Sequence, residues 1–364
     1  MYHIGLMSGT SMDAIDAALV DFETKTNLIK YQEYPIEQSL RHQVRSINES
    51  STLAEVAELD HQLGHLFAKA VKSLLKEANI AADKIAAIGS HGQTIFHNPD
   101  GKHTNSIQIA DPNIICAATG ITTVADFRRM DLAFAGQGAP LASAFHQYQF
   151  QQENKSLVIL NIGGIANITL LPSDGNNVIG FDTGPGNGLL DDWMQLNKSE
   201  EFDKDSRWAL SGKEIPELLK DLLNDQYFSQ VAPKSSGRDY FNLDWLRKYL
   251  SKYDSELKAE DVQATLLKLS VISISDAIMN VACDYDEVLL CGGGAYNPVF
   301  LTLIQELLPK LKVSTTTDYG FAPNCIEAIT FAWLAKQRLE NKTGNIPSVT
   351  GARSKTLLGA IYKS

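Results

Sequence analysis

Three groups of residues in this 364-residue chain have the types and spacing that chemistry requires. The first is Gly5-Leu6-Met7-Ser8-Gly9-Thr10-Ser11-Met12-Asp13-Ala14-Ile15-Asp16. Small residues from Ser8 to Ser11 let backbone N–H groups converge on an anion, and the hydroxyls add donors at little steric cost. Asp13 and Asp16 offer hard oxygen ligands suited to a Mg²⁺ that keeps most of its waters. A nucleotide's terminal phosphates with Mg²⁺ need such a tip, although an ordinary Gly/Ser turn would use the same residues. No Gly-Lys-Ser/Thr follows, so this is not a Walker loop. The second group is Phe181-Asp182-Thr183-Gly184-Pro185-Gly186-Asn187. A strand from Val178 delivers Asp182 into a turn where Gly184 and Gly186 let a ligand approach the backbone closely. A lone carboxylate so placed can serve as a general base toward a hydroxyl or water; the plainer alternative is an Asx turn. The third group is Asp126-Phe127-Arg128-Arg129-Met130-Asp131, with Gly136-Gln137-Gly138-Ala139-Pro140 behind it. Arginine grips an anion as a fork and aspartate accepts from sugar hydroxyls, which suits a hydroxylated, anionic small molecule. A surface salt-bridge patch would look the same.

These groups need elements to aim them. Ile4–Met7 and Ala14–Phe22 read as strands flanking the first turn. Leu157–Leu171 repeats the pattern, strand, Gly163-Gly164, strand. Two such units at the starts of two halves suggest an internal duplication, with the turns facing each other across a cleft. The polar stretch Gln149–Ser156 marks the boundary. A buried strand, Ile85–Ser90, ends in His91 and Gln93, past a strand's C-terminal end, where α/β folds place ligands. A third glycine turn, Gly292-Gly293-Gly294, lies between a strand at Glu287–Cys291 and a helix at Val299–Leu307. There a heterocycle or ribose could rest on bare backbone. Glu327 opens the helix running to Leu339, either complementing its dipole or projecting into the cleft. The loop Pro233-Lys234-Ser235-Ser236-Gly237-Arg238 carries two cations, for an anion or for solvent; the residues do not decide. Thr52 to Glu55 has the capping-box pattern ahead of a helix to about Ala78, and Ser211 to Glu214 repeats it. A helix over Val262–Ala282 and a short strand over Thr356–Ile361 complete the expected elements.

Bulk properties narrow the class. The length suggests two domains at about 100–200 residues each. Formal net charge is −11, which argues against a broad nucleic-acid-binding face. The first twenty residues lack a basic n-region and no apolar run reaches spanning length, so neither a secretory signal nor a membrane anchor is expected. Cys116, Cys283, Cys291 and Cys325 form no C-x-x-C pair and read as buried thiols of a reducing cytosol. His61 and His65 are four apart, but Gln62 stands where a metalloprotease would carry glutamate, so a solvated helical face is favoured.

Two glycine hairpins, an acid at the second strand end and a Gly-Gly-Gly turn, in that order, resemble the superfamily of actin, hexokinase and the heat-shock ATPases. The finer motifs resemble the anhydro-N-acetylmuramic acid kinase family over residues 4 to 335. They are Gly5 to Asp13, Ser90 to Thr94, Asp126 to Arg129, Gly136 to Leu141, Asn161 to Asn167, Phe181 to Asn187, Pro233 to Arg238 and Gly292 to Ala295. The resemblance implies an α/β, two-domain actin/hexokinase-like (ribonuclease H-like) fold with a nucleotide cleft between the domains. Residues 1–150 would form the first domain and 151–339 the second, with 340–364 a candidate to pack back on the first. It implies ATP-dependent phosphorylation of 1,6-anhydro-N-acetylmuramic acid while water opens the anhydro ring, in cytoplasmic cell-wall recycling by a homodimer.

By motif match, Gly9, Thr10, Ser11, Met12, Asp13, Ala14, Ile15 and Asp16 would hold the ATP phosphates and Mg²⁺, with Gly163, Gly164 and Asn167 facing them. Gly292, Gly293 and Gly294 would bed the adenosine. Asp182 would be the general base, Arg128 and Glu327 would position the sugar, and His91, Gln93, Asp126, Asp131 and Gly184 would add contacts. The partner is a small-molecule sugar, with no nucleic acid and no membrane. The chain departs from the family's usual glycines at Ala14 and at Ala135, before Gly136. An added methyl is tolerable where φ is negative and strained where it is positive. An open-ring amino-sugar kinase and a non-catalytic actin-like ATPase stand as alternatives.

Overall fold

The computed structural model describes residues 1–9, 12–48, 50–99, 101–238, 240–253, 257–281 and 284–363. Thr10, Ser11 and Cys283 therefore lie outside the described residues. The chain divides into two compact units, Met1–Gln149 with Cys325–Ser364, and Phe150–Asn324. Its strands in chain order are β1 (Tyr2–Met7), β2 (Ala14–Asp21), β3 (Asn27–Pro35), β4 (Ile85–Ser90), β5 (Gln93–Asn98), β6 (Asn105–Ile109) and β7 (Thr123–Ala125). They continue with β8 (Leu157–Ile162), β9 (Ile165–Leu171), β10 (Ile179–Pro185), β11 (Glu287–Cys291), β12 (Lys312–Thr315) and β13 (Ala360–Tyr362).

The first unit holds a six-stranded sheet in the order β13-β7-β4-β1-β2-β3. The second holds a five-stranded sheet in the order β10-β9-β8-β11-β12. In both, an antiparallel three-strand meander is followed by two strands parallel to its first strand. The expected duplication is present as a shared strand order, the actin/hexokinase-like, ribonuclease H-like α/β arrangement. The central strands β8 and β11 are buried at every position, as parallel strands covered on both faces must be. The edge strand β3 is half exposed along its length.

The Leu53–Ala78 helix begins with the expected capping box: Glu55 N–H donates to the Thr52 hydroxyl at 3.2 Å and Thr52 N–H to the Glu55 carboxylate at 2.7 Å. The second expected box fails. Ser211 ends the Arg207–Ser211 helix, and the Pro216–Leu223 helix starts on Pro216, whose missing N–H needs no cap. The terminal strand shrinks to β13, three residues long. The helix expected over Val262–Ala282 is Ala259–Met279; Ala282 lies outside the described residues. Contrary to the sequence reading, it is long and apolar enough to cross a membrane, with mean hydropathy 1.4, yet 67% of that window is buried inside the protein. Leu266, Leu269 and Ile274 place it in the second unit's core. The His61 and His65 rings pack edge to face, and no group of three metal-ligating side chains occurs among the described residues. Cys116, Cys291 and Cys325 are buried and not joined in disulfides.

The Ile326–Leu339 helix lies in the first unit, although the sequence reading placed residues up to 339 in the second. The reason is contact. A Cβ on Gly5 in β1 would stand 1.7 Å from the Ala328 carbonyl oxygen, and one on Gly89 in β4 would stand 2.0 Å from that of Phe331. Two bare strand positions thus let the helix backbone touch the sheet, which carries Glu327 with it.

At the start of β11 the Glu287 carboxylate is fully buried. It accepts from Lys155, from Lys312 at 2.8 Å, from the Ser314 hydroxyl at 2.6 Å and from the Tyr319 hydroxyl at 3.0 Å. Burial alone would raise its pKa, but these donors outweigh burial and hold it at about 2. A depressed folded-state pKa stabilises above the ordinary glutamate value and is lost as pH falls through the folded one. Unfolding free energy should therefore drop between pH 4.5 and about 2, and Glu287→Gln should flatten that part of a urea-unfolding pH series. The two departures from glycine also separate. Ala14 is outside the positive-φ residues, whereas Ala135 sits at φ 64° on an exposed turn. Ala135→Gly should raise stability by roughly 0.5–1 kcal/mol, read as a higher urea midpoint at constant m.

Candidate active site

Sheet register gathers the second unit's singled-out residues. Asp182 on β10 pairs with Asn167 on β9, Asn167 with Asn161 on β8, and Asn161 with Cys291 on β11. One transverse row thus crosses four strands, and Gly292 follows at its end. Beside the row, the Gly163-Gly164 turn is fastened to the start of the Gly188–Lys198 helix. The Gly186 and Gly188 N–H groups donate to the Gly164 carbonyl at 3.0 Å each, and Asn187 N–H donates to that of Gly163 at 2.8 Å. A Cβ on Gly186 would stand 2.3 Å from the Gly163 oxygen. Gly292 has φ 78°, and a Cβ there would meet the Asn161 Oδ1 at 2.2 Å. Nothing lies within 4 Å of a Cβ built on Gly293, so that face is open to a flat ligand. The Asn161 Oδ1 is buried without a hydrogen-bond partner beside it. Asn161 opens the Asn161-to-Asn167 motif, and its place in the row shows only once the strands are paired.

Asp182 is 8% exposed and held from three sides by one loop. Its Oδ2 accepts from Ser236 N–H at 2.8 Å, its own N–H donates to the Lys234 carbonyl at 3.1 Å, and its carbonyl accepts from the Tyr227 hydroxyl at 2.8 Å. The β10 ladder is irregular between Asp182 and Gly184, a bulge that re-aims side chains. Gly184, at φ 149°, leaves no room for a Cβ, which would lie 2.7 Å from the Phe228 ring. The Lys234 ammonium is buried, donates to the Tyr227 carbonyl at 3.2 Å and sits 4.6 Å from the Tyr227 ring centroid. Burial lowers its pKa and the Asp182 charge works against that. Arg238, the loop's other cation, is paired with Asp192.

In the first unit, Met7 pairs with Asp16 across the β1–β2 hairpin, and Met12 N–H donates to the Gly9 carbonyl at 3.1 Å. Met12 and Ile15 point into the core, at 2% and 0% exposure, so only their backbone is available to a ligand. Ala14 opens β2 beside them. The Ser8 hydroxyl is buried without a partner. Asp16 accepts from the Tyr31 hydroxyl. Burial pushes its pKa up to about 7, with the Glu327 and Glu33 charges adding to burial and the Tyr31 bond opposing it. Asp13 is more exposed and ion-paired with Arg41 at 2.6 Å.

Arg128 and His91 form a second fixed group. The Arg128 Nε–H donates to the His91 Nε2 at 3.0 Å, and the His91 Nδ1 stands 3.0 Å from the Gly92 carbonyl oxygen. Those partners assign the proton to Nδ1 and keep the ring neutral; burial, with Arg128 adding, holds its pKa well below the usual value. Arg128 also donates to the Gly138 carbonyl at 2.8 Å. Burial raises the Glu327 pKa, while the Arg128 charge opposes the rise, so these two groups feel one another. Gln93 is buried, with its Oε1 unpartnered. Asp126 is taken up by a two-pronged pair with Arg129, at 2.8 and 2.6 Å. Asp131 has no exposed surface. Its oxygens accept from Gly138 N–H, Asn345 Nδ2 and Thr350 Oγ1, each at 2.8 Å, so it ties the 136–138 loop to the C-terminal segment.

A family model described as anhydro-N-acetylmuramic acid kinase matches residues 1–364. An anhydro-N-acetylmuramic acid kinase of Pasteurella multocida is 48% identical over 367 residues, covering 100% of this chain and 97% of that protein. Proteins of the same description from Coxiella burnetii and Aliivibrio fischeri are 48% and 47% identical, each over 99% of this chain and covering 97% and 98% of their own lengths. With a match along its whole length and relatives 47–48% identical over 99–100% of it, the chain belongs to the anhydro-N-acetylmuramic acid kinase family.

Proposed function

We propose that this chain phosphorylates 1,6-anhydro-N-acetylmuramic acid with ATP while water opens the anhydro ring, giving N-acetylmuramic acid 6-phosphate and ADP. The reaction serves cell-wall recycling. The observation that carries it is the Asp182 carboxylate, buried and fixed by the Ser236 N–H at 2.8 Å, in a chain matched to the family over its full length. A water oxygen bonds to the anomeric carbon as the bond from that carbon to O6 breaks. Asp182 takes the water proton, and the freed O6 takes the γ-phosphoryl group. A single well-aimed carboxylate suffices for the water step, and phosphoryl transfer is mostly positioning and charge neutralisation.

The remaining roles follow the environments. The backbone of Gly9, Met12, Ala14 and Ile15 and the turn Gly163-Gly164, with Asn167, would receive the phosphates. Gly292 to Gly294 would receive the adenosine, Gly293 having the open face. Arg128 and Glu327 would orient the sugar; Gln93 would meet it with its unpartnered Oε1, His91 would have to exchange one of its two ring-nitrogen partners to reach it, Asp126 would act beside Arg129, and Gly184 would give close backbone approach. Asp131 would act by holding the loop rather than by touching sugar. Mg²⁺ fits the donors at Asp16, where burial and nearby carboxylates hold the pKa up to about 7, a situation a cation relieves. Asp13, engaged by Arg41, would have to exchange partners to join it. Bound there, Mg²⁺ would offset the phosphate charge. A cytoplasmic homodimer belongs to the same proposal.

Asp182→Asn should lower kcat about a thousandfold, with ring opening and phosphorylation lost together. ATP affinity by calorimetry should change less than about twofold. Turnover within about tenfold of the parent would contradict the general-base role.

A further inference from the structure

The Gly292-Gly293-Gly294 turn runs into a single turn of 3₁₀ helix, Gly293–Tyr296, whose four residues divide by face. Gly294 and Ala295 are buried, and a Cβ on Gly294 would stand 2.4 Å from the Ile162 side chain. Gly293 and Tyr296 are exposed, Tyr296 by 56% of its surface. Residues three apart in a 3₁₀ helix eclipse, about 6 Å from one another along the axis. The bare backbone of Gly293 and the phenol of Tyr296 therefore share one outward edge. The segment at Pro323 and Asn324 holds both ends of that edge. Gly292 N–H donates to the Pro323 carbonyl at 2.9 Å, and the Tyr296 hydroxyl donates to the Asn324 Oδ1 at 2.9 Å. Past Tyr296, the Asn297 Oδ1 accepts from Val299 N–H at 3.0 Å, capping the Pro298–Leu307 helix, and its Nδ2 donates to the buried Ser206 hydroxyl at 2.7 Å. An exposed tyrosine alone is ordinary. One anchored through its hydroxyl beside an open glycine offers a flat base a ring to lie against.

We propose that Tyr296 is the residue on which the purine base of the nucleotide stacks, with the base lying over the bare backbone of Gly293. This rests on Gly292 to Gly294 receiving the adenosine. Space for the base is on the page: a Cβ built on Gly293 meets nothing within 4 Å. Affinity comes from the ring, since an aromatic face against a base is worth about five- to a hundredfold in binding. The hydroxyl bond to Asn324 lowers the cost of ordering that ring when the nucleotide arrives. Gly293 and Tyr296 thus have separate parts, one leaving room and the other supplying the surface.

The test is calorimetry on the full chain with Mg²⁺, using ADP and ribose 5-diphosphate, which keeps the sugar and phosphates and lacks the base. Tyr296→Ala should weaken ADP about tenfold and ribose 5-diphosphate less than about twofold. Tyr296→Phe keeps the ring and should hold ADP within about threefold of the parent. ADP bound as tightly by Tyr296→Ala as by the parent overturns the proposal. An equal loss of both ligands overturns it too, because the base would then not be what the ring meets. If Tyr296→Ala does not fold, Tyr296→Leu keeps apolar bulk without an aromatic face, and the same selective loss is required of it. Gly293→Val, run alongside, separates the two failures. ADP binding unchanged there removes adenosine from this turn and the proposal with it, whereas ADP weakened there with Tyr296→Ala unmoved removes only the role of Tyr296.

Discussion

Strand register in the second unit is the constraint from which the site follows. Pairing Asp182 with Asn167, Asn167 with Asn161 and Asn161 with Cys291 puts on one line three residues of one meander and a fourth encoded more than 100 residues later. The side-chain period of a strand is two, so a slip of one residue would send each of them to the other face. Register is held by the continuous apolar burial of β8 and β11, whose displacement would expose core side chains. The glycines at positions 186, 188 and 292 then fit the tight approaches that this alignment creates. The placement of Asp182 is in this sense a property of the sheet before it is a property of the aspartate.

The first unit solves a related problem by different means. Its helix Ile326–Leu339 touches the sheet through Gly5 and Gly89, with no side chain between backbone and backbone. Glu327 is carried into the electrostatic neighbourhood of Arg128 and Asp16 by that contact. His91 packs on Phe331 of the same helix with ring centroids 4.6 Å apart, so the Arg128–His91 pair rests on it too. A substitution at Gly5 or Gly89 would act on the site through backbone position, without touching a ligand.

Much of this was legible in sequence where the signal is local. Glycine turns need no tertiary context, and neither does the capping box at Thr52, closed within four residues; Asp182, expected where its strand gives way to a turn, stands inside β10, which runs on to Pro185. What was hidden depends on partners distant in the chain. Asp131 looked like a sugar contact because it stands beside arginines, but its oxygens are met by Asn345 and Thr350, 214 and 219 positions away. Nothing local marks Gly5 and Gly89 within their strands, since the helix that needs them is encoded more than 200 residues later. Tyr227 carries no motif, and only the folded loop shows its hydroxyl on the Asp182 carbonyl. Lys234 was visible as a cation without a destination; burial against two rings supplied one.

The central claim is that one reaction joins water addition to phosphoryl transfer, and the direct measurement is turnover of anhydro-N-acetylmuramic acid with ATP-Mg²⁺ in ¹⁸O-labelled water. Mass spectrometry of the initial product should find one ¹⁸O at the anomeric hydroxyl of a 6-phosphate, formed in equal amount with ADP. A phosphorylated product with no label, or transfer only to sugars whose ring is already open, would contradict it.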